Sequence, residues 1–313
     1  MYVVTREDLP LGYQVPQAMH AAMEFANNYK EENKFWYATS NSLVVLSTKS
    51  ERALWELSEK LTKLGLSHSK FFEPDVGYEL TAIALVPCLE TKKALSSLPL
   101  AGKRVSDQVD KVRCEALKRK FDVVDAMLGC LQTPQQNVLD HGLAVRDKLF
   151  EVRQQIITNT LPDTAPVWLK EHGSKLVKDL YDDFTLSKYT VWHDCGKPMV
   201  RTCDENGQHF PGHEQASTAL FLELFPEETT VAELVRKDMT VHCLRHTDVE
   251  GVQQFCKNKR QAATLLLSGF AATESNCELF GGKDSANYKI KIKRLAKLGE
   301  AVCNTLYKSH TVT

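Results

Sequence analysis

The run Val191-Trp192-His193-Asp194-Cys195-Gly196-Lys197-Pro198 sets an imidazole beside a carboxylate, with a solitary His141 upstream and Gly212-His213-Glu214 downstream. Adjacent His and Asp joined by a distant His supply nitrogen and oxygen ligands for a divalent metal, and such a metal lowers the pKa of bound water from about 15.7 toward about 7. Hydroxide formed this way at neutral pH is a nucleophile for hydrolysis. Lys197, expected near the mouth, could neutralise negative charge on a substrate; its other reading is a cation favoured by a helix C-terminus. His242 and His246 stand four apart, the spacing by which one helix presents paired ligands on one face. A mixed His/Asp set accepts Mn, Fe, Co, Ni, Zn or Mg and does not choose among them.

The elements that must position these groups are helices. His141, Val145, Leu149 and Val152 fall on one face of a helix, so His141 points with the apolar side; alone, such a histidine is usually a satisfied core residue. His193 and Asp194 follow the apolar stretch Tyr189 to Trp192, and Gly196 and Pro198 are expected to end that helix and leave both side chains near an open mouth. Phe210-Pro211-Gly212 precedes a further helix through Ala219, Leu220 and Leu224. Phe121 to Leu131 reads as an amphipathic helix closed by a loop over Gln132 to Asn137, and Gly281-Gly282-Lys283-Asp284 as a turn before the last helix. Five imidazoles and an Asp, each at an inward helix position, are hard to explain as packing.

The first hundred residues have a different pattern. Tyr2 to Val4, Ser42 to Ser47, Ser67 to Phe72 and Leu80 to Val86 are β-rich runs, separated by helical spacing over Val15 to Tyr29 and from Ser50-Glu51 to Gly65. This alternation predicts a small α/β domain with helices covering a mixed sheet.

A chain of 313 residues exceeds the usual single-core size. The nine cysteines include no Cys-x-x-Cys pair, which predicts reduced thiols and no structural zinc site. The first residues lack the regions of a signal peptide and no run approaches eighteen apolar residues, so a soluble cytoplasmic protein with no membrane partner is expected. Net charge is −1, but residues 101–120 hold seven Lys and Arg against three Asp and Glu. That stretch reads as a basic linker or helix, solvated or facing phosphate. A second basic stretch, Lys289 to Arg294, opens the last predicted helix. No glycine-rich phosphate loop, internal repeat or low-complexity segment is present.

Two resemblances follow. His-Asp-x-Gly-Lys-Pro, then Gly-His-Glu, then a later His resembles the HD-domain phosphohydrolases, most closely the HD domain attached to bacterial tRNA nucleotidyltransferases. It implies His141, His193 and Asp194 as metal ligands, with His213 and His242 completing a second metal position or binding the substrate phosphate. The family's last ligand is an Asp on a late apolar helix; Leu265 to Asn276 contains none, and Glu274 is the nearest carboxylate. Gly12-Tyr13-Gln14-Val15-Pro16-Gln17-Ala18-Met19-His20-Ala21 and Glu73-Pro74-Asp75-Val76-Gly77 resemble the two loops of type II peptidyl-tRNA hydrolases. That family's Lys after the first Gly is Tyr13 here, and a phenol cannot stabilise developing negative charge as an ammonium does. Gln17, His20 and Asp75 are carried over only as residues of a nucleic-acid-facing surface.

The combined expectation is an α+β protein of two domains. An α/β domain with a mixed sheet occupies 1–100, the basic segment 101–120, and an all-α HD domain 121–313. It would be a metal-dependent phosphohydrolase acting on RNA, with tRNA 3′ ends as substrate: a 2′,3′-cyclic phosphate, a terminal phosphate or a pyrophosphate. The N-terminal domain would recognise the RNA, and no obligate protein partner is inferred. The alternatives are a nucleotide phosphatase or cyclic-nucleotide phosphodiesterase that needs no RNA, a non-catalytic RNA-binding protein, and a peptidyl-tRNA hydrolase.

Overall fold

The computed structural model describes residues 1–103, 105–133, 135–205 and 207–307, with Leu279 described by its backbone alone. The chain forms two compact units, Met1–Asp125 and Ala126–Thr313.

In the first unit β1 (Tyr2–Arg6), α1 (Leu11–Asn28), α2 (Lys30–Thr39), β2 (Val44–Thr48), α3 (Glu51–Lys63), β3 (His68–Glu73), β4 (Glu79–Leu85) and α4 (Leu89–Ala94) follow one another. The four strands lie in the order β2-β1-β4-β3. β1 and β2 are parallel and the other pairs antiparallel, so the sheet is mixed. All seven residues of β4 are buried, as an apolar run in a central strand requires. α1 packs Ala18, Ala21 and Phe25 against Met1, Val3, Ala82 and Ala84. Ser50 caps α3 by accepting the Ala53 N–H, and Leu54, Leu57 and Leu61 form its buried stripe. α2 buries no residue, which is why hydrophobic spacing did not announce it.

α5 (Asp107–Gly129) absorbs most of the basic stretch and the expected helix from Phe121, and runs across the boundary between the units. Within the first unit its Leu117 joins Leu9 and Val76, with Tyr13 and Phe121 against them. Asp110 accepts the Leu11 N–H, and Lys120 pairs with Glu79 at 2.7 Å.

Among the described residues the second unit is helical apart from two short hairpins. It contains β5 (Leu131–Thr133), β6 (Gln136–Asn137), α6 (Val138–Ile157), α7 (Val167–Lys178), α8 (Asp183–Trp192), α9 (Lys197–Val200), β7 (Thr202–Asp204), β8 (Gly207–His209), α10 (His213–Leu224), α11 (Thr229–Lys237), α12 (Thr240–Cys243), α13 (Val249–Phe255), α14 (Lys259–Ser275) and α15 (Ala286–Tyr307). α8 and α14 are buried almost all round and form the centre, and both pack on α6.

Three local expectations are corrected. Gln132, Thr133, Gln136 and Asn137, read as part of a loop, lie in the paired strands β5 and β6, while Pro134 of that loop is outside the described residues. Pro198 starts α9 instead of ending α8; its ring fixes φ and lacks the N–H that the first helical turn leaves unused. α12 stops at Cys243 and Leu244 is extended, so His246 does not share a helix face with His242. Among the described residues no helix is long and apolar enough to cross a membrane.

Candidate metal centre

Two glycines allow the backbones that carry the cluster to meet. Gly142, next to His141 on α6, lies so close to α8 that a Cβ there would fall 2.9 Å from the Thr190 carbonyl oxygen. Gly196 sits against α10, where a Cβ would lie 2.8 Å from the Cα of Ser217, and its N–H donates to the Ser217 hydroxyl at 2.9 Å. After Trp192 the chain turns tightly, Cys195 N–H bonding to Trp192 O and Lys197 N–H to Asp194 O. These close approaches bring His141 of α6 to the His193-Asp194 turn.

His141 Nε2 and His193 Nε2 are 3.2 Å apart, and Asp194 Oδ2 lies 3.4 Å from the first and 3.2 Å from the second. All three side chains are buried, at 5%, 5% and 3% exposure. His193 Nδ1–H donates to the Thr190 carbonyl at 2.7 Å, and His141 Nδ1–H donates to Asn276 Oδ1 at 3.1 Å. Each donation leaves an Nε2 lone pair directed at the third member, which is how metal-binding imidazoles are oriented.

The donor set fits a divalent cation. Ligand bonds of about 2.0 Å in tetrahedral array generate edges of about 3.3 Å, and the edges here are 3.2, 3.2 and 3.4 Å. Without a cation a proton takes the centre. Burial pulls the His193 imidazole down, but Asp194 and Asp238 more than reverse this, to about 9. Burial first and His193 second lower His141 to about 3, since two imidazoles this close do not both carry charge. Burial alone would raise Asp194; His193 and Lys197 hold it well below the usual carboxylate range.

The cluster opens into a cavity of about 580 Å³. Lys197 Nζ donates to Asp194 Oδ2 at 2.6 Å and also to Gln132 Oε1, above the Phe210 ring. His213 Nδ1–H donates to Phe210 O at 3.0 Å, and its Nε2 stands 3.5 Å from Asp194 Oδ1. His242 lines the same cavity, and burial, its largest influence, lowers its pKa. Glu274 is not with them: its carboxylate takes the Tyr288 hydroxyl and the Lys283 ammonium. Asn276, two residues on, contacts His141 in its place.

Sequence reasoning passed over Asn276, Asp238 and Lys291, all of which line the cavity. The amide of Asn276 carries no metal-ligand signal in sequence, and Lys291 stands in a basic run that reads as a solvated face. Asp238 accepts the buried Tyr189 hydroxyl at 2.5 Å, and nothing in the local sequence marked it.

In the first unit His20 is exposed and stacks on Phe71 at 4.6 Å between ring centroids, and Asp75 is exposed. Gln17 is 1% exposed, so it faces no ligand; it donates to Glu73 at 2.6 Å and accepts from Thr81 at 2.6 Å.

Residues 1–95 match the family model described as peptidyl-tRNA hydrolase PTH2. No curated protein and no solved structure matches the chain. The chain therefore carries an N-terminal PTH2 domain with a mixed four-stranded sheet, followed by a mostly helical region that holds a buried His141, His193 and Asp194 group.

Proposed function

We propose that this chain is a divalent-metal-dependent phosphohydrolase of the HD type acting on RNA ends, and that its PTH2 domain recognises tRNA. The observation that carries the reading is the convergence of two imidazole Nε2 atoms and one carboxylate oxygen within 3.4 Å of one another in a buried site. His141, His193 and Asp194 would hold the cation, which when bound supplies Lewis acidity toward water and a phosphoryl oxygen.

The remaining residues act on the substrate. Lys197 sits at the cluster's rim, where its ammonium can exchange a contact to Gln132 for a phosphoryl oxygen. His213 and His242 line the same cavity and can give a proton to the leaving oxygen. The family match over residues 1–95 supports tRNA as the RNA.

The test is phosphate release from RNA fragments bearing a 3′-phosphate, a 2′,3′-cyclic phosphate or a 3′-pyrophosphate, with Mn2+, Co2+, Ni2+ or Mg2+. Release that falls at least about 100-fold in Asp194→Ala supports the reading, since the metal's contribution is several kcal/mol. No release from any substrate with any metal would sink it.

The family match also favours a second reading, ester hydrolysis of peptidyl-tRNA by the first unit. Against it, Tyr13 stands where that resemblance expects a lysine. Burial first and then Glu73 raise the Tyr13 hydroxyl to about 12, so it stays an uncharged phenol. Peptidyl-tRNA turnover at high enzyme concentration would restore this reading.

A further inference from the structure

A second cavity, of about 330 Å³, is lined by Arg245, His246, Thr247 and Arg294. It is built from the same two chain segments as one wall of the metal cavity. His242 and Lys291 line the metal cavity; three or four residues further along each segment, Arg245, His246 and Arg294 line the second. Lys291 and Arg294 are i and i+3 on α15, which makes them neighbours about 5–6 Å apart at Cβ. The extended backbone at Leu244 carries Arg245 off the end of α12, and Arg294 Nη2 donates to Cys243 O at 2.8 Å, tying α15 to that point.

These positive charges are not neutralised from within. Among the described residues neither Arg245 nor Arg294 forms an ion pair, and Asp248, the nearest acid in sequence, caps α13 through the Gly251 N–H at 2.9 Å. Burial first and Arg294 second lower the Lys291 ammonium, a cost of holding like charges together. Guanidinium forks match phosphate oxygens in pairs, and a near-neutral chain can still bind anions where its cations are clustered. A mononucleotide offers one phosphate; the metal cavity, with Lys197 and Lys291 in its lining, and the arginine cavity beyond it on the same two segments offer places for two on one strand.

We propose that the Arg245, His246, Thr247 and Arg294 cavity binds the phosphodiester next to the end of a single-stranded nucleic acid whose terminal phosphate lies at the His141, His193 and Asp194 centre. Lys291 stands between the two phosphates. The substrate class is thus a strand end of at least two nucleotides, an inference that rests on the phosphohydrolase reading for the terminal phosphate.

Two measurements on the full chain test it. The first is the preference in kcat/KM for a 3′-phosphorylated tetranucleotide over a 3′-mononucleotide, in wild type, Arg245→Ala, Arg294→Ala and Arg245→Lys. The second is binding of a fluorescein-labelled tetranucleotide at several salt concentrations. We expect the alanine variants to lose about tenfold of the preference and of the affinity, as loss of a charged hydrogen bond implies. Arg245→Lys should recover part of the loss, and the salt slope should fall by about one per lost phosphate contact. Wild-type turnover with an unaltered preference in both alanine variants overturns the second cavity and leaves the phosphohydrolase standing. Absence of turnover in wild type removes the phosphohydrolase and with it the placement of the terminal phosphate, and the binding measurement then decides the second cavity alone: equal affinity and salt slope in both alanine variants overturns it, and weakened binding supports it as a phosphodiester site.

Discussion

Asn276 Oδ1 accepts the Nδ1–H of His141 at 3.1 Å and so fixes which nitrogen faces the cluster. Asn276→Ala removes that partner, frees the ring to rotate or change tautomer, and should weaken metal affinity about 10–100-fold. Isothermal titration with Mn2+ or Ni2+ reads the change, and an unaltered affinity would mean that His141 is held by its helix alone. The two histidines and the aspartate that meet in the buried group were legible because their types are rare in such company. An asparagine doing this work was not, because amides are common and its partner lies 135 residues away. A second prediction belongs to His68, whose Nδ1–H donates to Leu66 O at 2.9 Å and whose Nε2 accepts the Ser58 hydroxyl at 2.7 Å. This neutral ring has its pKa lowered, chiefly by burial. A histidine with a lowered folded pKa binds protons more readily when unfolded. Its contribution is therefore complete above the unfolded value of about 6.5 and is lost as pH falls from there toward the folded pKa. Urea melts between pH 7.5 and 5 should show the first unit losing stability with acid, and His68→Gln should flatten that loss.

Packing between elements depends on Gly142 and Gly196, which let α6, the His193-Asp194 turn and α10 approach at backbone distance. Gly142→Ala places a methyl against the Thr190 and Val191 carbonyls. Such overpacking costs typically about 1–3 kcal/mol, and because residue 142 adjoins His141 the displacement should also weaken metal binding. A thermal melt and a metal titration on the same variant separate these effects; a normal Tm with normal metal affinity would show that α6 has room to shift. The elements themselves were legible in proportion to their apolar periodicity. α3 and α6 carry clear stripes and were found. α2 has none, and the two hairpins are three residues or fewer per strand with no fully buried strand residue, so no period could develop. The spacing of His242 and His246 suggested one helix face, but a four-residue helix cannot carry an i, i+4 pair past its own end.

At the scale of the chain, the change from alternating strands and helices to helices alone was visible as a change of period. The place of division was not, because α5 continues through it and a basic helix reads in sequence much like a basic linker. The three members of the candidate metal group all lie in the second unit, between His141 and Asp194, and this would confine the effect of a bound cation. A ligand that binds only the folded state adds about 2.7 kcal/mol at a concentration one hundred times its Kd. The stabilisation should register first in residues that share the cluster's helices. Trp192, fully buried, immediately precedes His193 on α8, and Trp168 is buried in the same unit, whereas Trp36 and Trp55 belong to the first. A Trp36→Phe, Trp55→Phe variant therefore reports the helical unit by fluorescence, and a Trp168→Phe, Trp192→Phe variant reports the α/β unit. Adding Mn2+ should raise the melting temperature seen by Trp168 and Trp192, and a chelator should reverse it. His193→Ala should abolish the shift while leaving the transition seen by Trp36 and Trp55 in place. A melting temperature that ignores every divalent metal would show that the three converging donors hold a proton in the folded protein and nothing more.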